Sequence, residues 1–195
     1  MSKKPESTFI NMVLRLFVVV GVAGAVLGFV YMQTFDVIAA AKQKKLQEAI
    51  GKVVPAFDTL VVYSRMPDTG KDSLTFYEAY KNDSLVGTAI ETYTEKGFSG
   101  VFKIMVGFDT QGVIIKTSVL EHKETPGLGD KMDKKKSDWS NQFNGKDPKT
   151  YKLSVTKDGG DVDAITAATI SSRAFCDATA RAYKTYKEKG GKTNE

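Results

Sequence analysis

The sequence holds one cysteine, Cys176, and one histidine, His122, among 195 residues. A lone cysteine excludes an intramolecular disulfide and a cysteine-rich metal centre. A lone histidine excludes a histidine-based zinc site and any mechanism that needs two imidazoles in one chain. Charge of one sign is also scarce as a block. The formal net charge is +5, and Lys3, Lys4 and Arg15 against Glu6 supply +2 of it within the first 32 residues. The remainder is spread along the chain, and the short runs Lys42 to Lys45 and Lys131 to Lys136 are each interrupted. A nucleic-acid surface needs a clustered basic stripe, often with aromatics between the charges, so no nucleic-acid partner is expected. Only five prolines, with 42% hydrophobic and 26% charged residues, leave a globular composition. Neither an internal repeat nor a low-complexity tract is present. With these chemistries removed, no catalytic residue and no protein-held metal are expected, and redox or group-transfer work falls to a bound cofactor.

What the chain does have is one long apolar run. Residues 16–32, LFVVVGVAGAVLGFVYM, carry no charge, and the run extends back through Leu14 to Met12. Counted from Met12, with Arg15 reaching toward the interface, it is about 21 residues, roughly 30 Å as a helix, enough to cross a bilayer. A cleaved signal peptide has a shorter apolar core of about 7–15 residues, which favours a retained anchor despite the Ala39-Ala40-Ala41 stretch beyond it. Lys3, Lys4 and Arg15 ahead of the span favour a cytoplasmic N-terminus, and Lys42, Lys44 and Lys45 behind it reduce the contrast. The expected division is a cytoplasmic N-terminus at 1–11, a transmembrane helix at 12–32 and a membrane-proximal helix and linker at 33–58. An extracytoplasmic domain at 59–188 and a loose polar tail at 189–195 complete it.

Periodicity predicts an α+β domain of antiparallel strands packed with helices. Leu46, Ile50, Val53 and Val54 recur at helical spacing before Pro55, which ends that helix. Leu60 to Tyr63 reads as a short strand. Leu74 to Tyr80 and Leu85 to Tyr93 flank a Lys81-Asn82-Asp83-Ser84 turn and read as a hairpin. Val101 to Phe108 and Val113 to Leu120 flank Asp109-Thr110-Gln111-Gly112 and read as a second, entered between Gly97 and Gly100. Trp139 and Phe143 suit one face of a short helix, and Tyr151 to Val155 reads as a strand. A final helix from about Ser171 to Lys187 packs through Ala174, Ala178 and Ala182 with Phe175 and Tyr183. Cys176 on that helix reads as a small buried residue.

Two segments carry chemistry. The first, Asp163-Ala164-Ile165-Thr166-Ala167-Ala168-Thr169-Ile170-Ser171-Ser172, places hydroxyls and small side chains just before the last helix. Helix N-termini present unpaired N–H groups and partial positive charge, a natural seat for a phosphate. On the residues alone, an ordinary helix cap looks much the same. The second, Glu121-His122-Lys123-Glu124-Thr125-Pro126-Gly127-Leu128-Gly129-Asp130, contains a Pro-Gly-Leu-Gly turn. Gly127 and Gly129 would let backbone groups approach a flat ring, Leu128 could cover its face, and Thr125 could donate a hydrogen bond. Glu121, Glu124 and Asp130 read as loop charges, and His122 reads as a polar residue oriented by hydrogen bonds.

Both segments resemble signatures of the FMN-binding subunits of Rnf and Na⁺-translocating NADH:quinone reductase complexes. Asp163, Thr166, Ala168 and Thr169 match the flavinylation motif D-x-x-S/T-G-A-T, with Ala167 at the usual glycine position. Alanine would be strained there if the position needs a positive φ, and would serve if it needs only a small side chain. The loop from His122 to Gly129 matches H-x-E-T-P-G-L-G, preceded by Gly107-Phe108-Asp109. The resemblance implies covalent FMN, joined as a phosphoester to Thr169 by a flavin transferase that uses FAD and recognises Asp163, Thr166, Ala168 and Thr169. It implies cofactor contacts from Thr166, Ala168, Ser171, Glu124, Thr125, Gly127, Leu128 and Gly129. The length suits the Rnf-type member better than the longer quinone reductase subunit. The implied role is an electron relay among other membrane subunits of a complex coupled to Na⁺ or H⁺ translocation. The implied location is the bacterial inner membrane, with the main domain on the periplasmic or extracytoplasmic side. Two alternatives stay open: a subunit of the quinone reductase, and a membrane-tethered FMN module outside any ion pump.

Overall fold

The computed structural model describes residues 8–190, so residues 1–7 of the expected N-terminal segment and 191–195 of the expected tail lie outside the described residues. The chain divides into two compact units at Lys44/Lys45. The first unit consists of most of one helix, α1 (Phe9–Val53). Its apolar side chains are exposed, from Phe9 and Ile10 to Val37 and Ile38. It is long and apolar enough to cross a membrane. No proline interrupts the run between Met12 and Val53, and the expected span and the expected membrane-proximal helix form one continuous element. Pro55 disfavours helical geometry at Val54 and stops it. Lys52 in the last turn sits where a cation suits the helix dipole.

The second unit is built on a five-stranded antiparallel sheet in sequence order, β1 (Thr59–Arg65), β2 (Leu74–Lys81), β3 (Ser84–Gly97), β4 (Gly100–Phe108) and β5 (Ile114–Glu121). The β2–β3 connection is the two-residue turn Asn82-Asp83, with φ of 48° and 59°. Positive φ at both positions matches the right-handed twist of the strands, and Asn and Asp tolerate it best after glycine. The β3–β4 connection is also two residues, Phe98-Ser99, between paired Gly97 and Gly100.

Alternation along the strands gives the sheet two buried faces. One face, including Phe76, Ile90, Phe102, Ile104 and Phe108, packs against the last helix, α2 (Thr169–Gly190). Ala174, Ala178 and Ala182 are fully buried there, and their small size lets the helix backbone lie close to β3. Each of the buried phenylalanines contributes roughly 2–3 kcal/mol by leaving water. The other face, with Tyr77, Ala79, Ala89 and Met105, is covered by Ala49, Ile50, Val53 and Val54 at the end of α1. Gly107 makes that approach possible, because a Cβ there would lie 1.8 Å from the Val53 carbonyl oxygen.

The middle of α2 is fixed by a polar latch. Arg181, 8% exposed, donates to the carbonyls of Thr69 at 2.8 Å and of Tyr93, and to Asp177 at 3.0 Å. Burial works against the Asp177 charge, but hydrogen bonds from Lys96 and Thr94 and the Arg181 charge outweigh it and hold this carboxyl below its usual range. Beyond β5 the chain has only short 3-10 turns at Gly129–Met132, Trp139–Phe143 and Thr156–Asp158 before α2. The strand expected over Tyr151 to Val155 is not formed. Its edge contacts are a single bridge, Val155 to Val162, and a few bonds to Asp161 and Val162. At the start of β5, Ile114 is paired with the Gly145-Lys146 backbone. Helix α2 runs to Gly190, past the start of the expected tail.

Candidate functional site

Two turns of similar design face one cavity. The first is Thr125-Pro126-Gly127-Leu128, closed by Leu128 N–H to the Thr125 carbonyl at 3.2 Å. Proline presets the second position, and Gly127 at the third has φ 78°. The second is Ile165-Thr166-Ala167-Ala168, closed by Ala168 N–H to the Ile165 carbonyl at 2.9 Å. Its third residue, Ala167, has φ 61°. The position does need a left-handed backbone, and alanine occupies it under strain of about 1–2 kcal/mol.

The second turn leads directly into α2, whose first intrahelical bond is Ser172 N–H to the Ala168 carbonyl. The N–H groups of Thr169, Ile170 and Ser171 precede that bond and are the orphan donors of the helix start. No acidic residue lies in the first turn. Ser172 secures the junction from inside, accepting from Ile165 N–H at 2.9 Å and donating to the Ala168 carbonyl at 3.0 Å.

Between the turns lies a cavity of about 310 Å³. Phe98 contributes from the β3–β4 turn, Glu124, Thr125, Leu128 and Gly129 from the first loop, and residues 167–171 from the second turn and helix start. Phe98, Leu128 and Ile170 are 67%, 40% and 48% exposed, so the rim is apolar while the helix start supplies donors. Glu124 is buried at the back. Its Oε1 accepts from Ser99 N–H at 3.1 Å and its Oε2 from the Ser171 hydroxyl at 2.6 Å. Gly129 has to be glycine for a reason different from that of Gly127. A Cβ at Gly129 would stand 2.6 Å from both Glu124 Oε2 and Ser171 Oγ, whereas one at Gly127 would meet nothing.

Of the residues singled out from sequence, Glu124, Thr125, Leu128, Gly129, Ala168, Thr169 and Ser171 meet at the cavity. Gly127 shapes the loop from outside it, and Thr166 is exposed on its turn, outside the cavity lining. Asp163 also stands apart. Its backbone is clamped by Trp139 Nε1–H at 2.6 Å and by both ends of the Gln142 amide, while its side chain is exposed. His122 Nδ1 accepts from Glu124 N–H at 3.2 Å and so helps place the loop. Cys176 is buried, which pushes its thiol up to about 12 and leaves it unreactive. Motif and spacing give no site role to Phe98, Ile170, Ser99, Trp139 or Gln142. Phe98 had a signal: an aromatic at the tip of a glycine-flanked turn has nowhere to bury itself. Ile170 had none, because it continues the Ala174–Ala178–Ala182 spacing by one turn and is exposed only by its place at the helix start.

This donor set fits a phosphorylated flat ring: orphan amides at a helix start with no acidic residue of its own in the first turn, small residues beside them and an apolar rim. Among protein families, residues 97–184 match the FMN-binding domain. A curated relative from Vibrio vulnificus, named as the G subunit of an ion-translocating oxidoreductase complex, is 39% identical over 155 residues, 74% of each chain. The protein of that name from Aliivibrio fischeri is 35% identical over 192 residues, 91% of this chain and 90% of its own. That from Shewanella oneidensis is 38% identical over 167 residues, 78% of this chain and 77% of its own. A single-pass membrane anchor followed by an FMN-binding domain, with 35–39% identity to these relatives over 74–91% of the chain, makes the chain a member of the family of G subunits of ion-translocating oxidoreductase complexes.

Proposed function

We propose that the cavity holds FMN as a phosphoester of the Thr169 hydroxyl and that the chain relays electrons within an Rnf-type membrane complex. The observation that carries the attachment is the state of the motif's hydroxyls. Ser171 and Ser172 are committed to hydrogen bonds, and Thr166 is exposed outside the cavity. Thr169 lines the cavity, stands at the first residue of α2 and makes no side-chain hydrogen bond among the described residues. A phosphate joined to it lies against the orphan amides of the first turn, where the helix dipole favours negative charge. Loading by a flavin transferase would break the anhydride bond of FAD. The Thr169 oxygen bonds to the FMN phosphorus, AMP leaves, and the hydroxyl proton is released.

A cavity of about 310 Å³ is at the small end for a ligand site. Part of a flavin ring would therefore lie along Phe98, Leu128 and Ile170 at the surface, open to exchange electrons with a neighbour. The ester keeps the cofactor in place in both redox states, which suits a compartment outside the cytoplasm where free flavin is scarce. The flavin supplies the electron chemistry and the protein supplies placement. On this reading the domain is extracytoplasmic, the partners are multi-span subunits of the complex, and transfer is coupled to Na⁺ or H⁺ translocation.

The test is in-gel ultraviolet fluorescence with intact mass on the full chain co-expressed with a flavin transferase. One FMN per chain, added with loss of water, is expected for wild type and none for Thr169→Ala. A fluorescent, mass-shifted Thr169→Ala chain would overturn the attachment. Co-purification with several multi-span proteins, and loss of redox-driven ion transport on deletion, test the relay role.

A further inference from the structure

Glu124 is 4% exposed, yet it lines the cavity, and both of its oxygens are enclosed. Ser99 N–H and Ser171 O–H reach them from two different elements. The backbone crowds them as well: a Cβ at Gly97 would lie 2.7 Å from Oε1, and one at Gly129 2.6 Å from Oε2. Its partners are a backbone amide and a hydroxyl, and no Lys, Arg or His pairs with its carboxylate among the described residues. Ser99 N–H donates to one oxygen and the Ser171 hydroxyl to the other, so both oxygens of the Glu124 carboxylate act as acceptors.

A latch between the β3–β4 turn and the start of α2 does not require that charge. A glutamine would accept from Ser99 N–H through its oxygen and donate to Ser171 Oγ through its nitrogen. A buried ion without a counter-ion is costly, offset here only in part by the positive end of α2. We propose that Glu124 is a positioning residue whose charge also holds the bound flavin at a low potential. This rests on the reading that FMN occupies this cavity. Reduction by an external donor brings two electrons, and with uptake of one proton from solvent it leaves one net negative charge in the cavity. A fixed carboxylate in the same low-dielectric wall opposes that charge and so favours the oxidised form.

The experiment is spectroelectrochemical titration of the full chain, flavin-loaded by co-expression with a transferase, for wild type, Glu124→Gln and Ser171→Ala. Flavin absorbance reports loaded molecules alone, so incomplete loading does not obscure it. Glu124→Gln is expected to favour the reduced form about tenfold, close to 30 mV for a two-electron couple, with its melting temperature within a few degrees of wild type. Ser171→Ala, which breaks one bond and keeps the charge, is expected to stay within about threefold of wild type. An unchanged potential in Glu124→Gln, or an equal shift in Ser171→Ala, overturns the proposal. If Glu124→Gln takes up no flavin, Glu124→Asp decides. Loading with a wild-type potential supports the charge role, and loss of loading in both variants makes Glu124 purely structural. A wild-type chain that carries its flavin at another residue overturns the cavity reading along with the proposal.

Discussion

The two turns that flank the cavity have the same hydrogen-bond pattern and opposite residue chemistry. Each closes its first residue to its fourth, and each puts its third residue in the left-handed region, at φ 78° for Gly127 and 61° for Ala167. Glycine takes that conformation without steric cost, while alanine brings its Cβ against the following carbonyl. The first turn is therefore unstrained at Gly127, and the entry to α2 is strained at Ala167. Strain that persists at a functional site is held by its surroundings. Here the holders can be named: Trp139 and Gln142 on the Asp163 backbone, and Ser172 on Ile165 and Ala168. Gly127 itself needs no comparable clamp.

The largest effect should come from space, not backbone angle. Gly129→Ala places a methyl group 2.6 Å from Glu124 Oε2 and Ser171 Oγ at once, and both residues are buried. Neither can retreat without breaking the bond between them, so a loss of about 2–3 kcal/mol is expected. For a domain of this size that lowers the melting temperature in detergent by roughly 5–10 °C. Flavin incorporation should fall with it, because the cavity wall has moved. Gly127→Ala is the angular counterpart. Its Cβ meets nothing within 4 Å, so the whole cost is conformational, about 1 kcal/mol, with the cavity intact and incorporation near wild type. If thermal melts showed the two variants equally destabilised, the separation of their roles would be wrong.

Much of this was legible in the sequence because it is local. The two β-hairpins, the apolar span, the Pro55 stop and the last helix each follow from periodicity and turn chemistry. Seven cavity residues were legible through their two motifs. The failures share a cause, which is dependence on what a segment meets. Tyr151 to Val155 alternates like a strand, but alternation supplies side-chain faces and no partner, and the segment bonds to the nearby loop at Asp161 and Val162 rather than to a strand of the sheet. From sequence Glu124 reads as a loop charge within a cofactor motif. That it is a buried latch depends on Ser99 and Ser171, respectively 25 residues before and 47 residues after it. The Arg181 latch reaches 112 residues back to Thr69, and no spacing rule reports that.

The smallest effect is the most diagnostic of the contrast between the turns. Ala167→Gly relieves left-handed strain of about 1–2 kcal/mol, but a glycine also frees the unfolded chain, which returns about 0.4–1 kcal/mol of that gain. The net expectation is a stabilisation of about 0.5–1 kcal/mol, read as a small rise in melting temperature. In the doubly substituted chain carrying Gly127→Ala as well, the two shifts should nearly cancel if the sites act independently. The direction of flavin incorporation then separates two meanings of the strain. If the strained entry presents Thr169 to the transferase, the relaxed variant should load more slowly despite being more stable. If alanine is tolerated only because it is small, loading should match or exceed wild type. A fall in melting temperature on Ala167→Gly would contradict both, because it would mean that the alanine methyl contributes packing worth more than the strain it imposes.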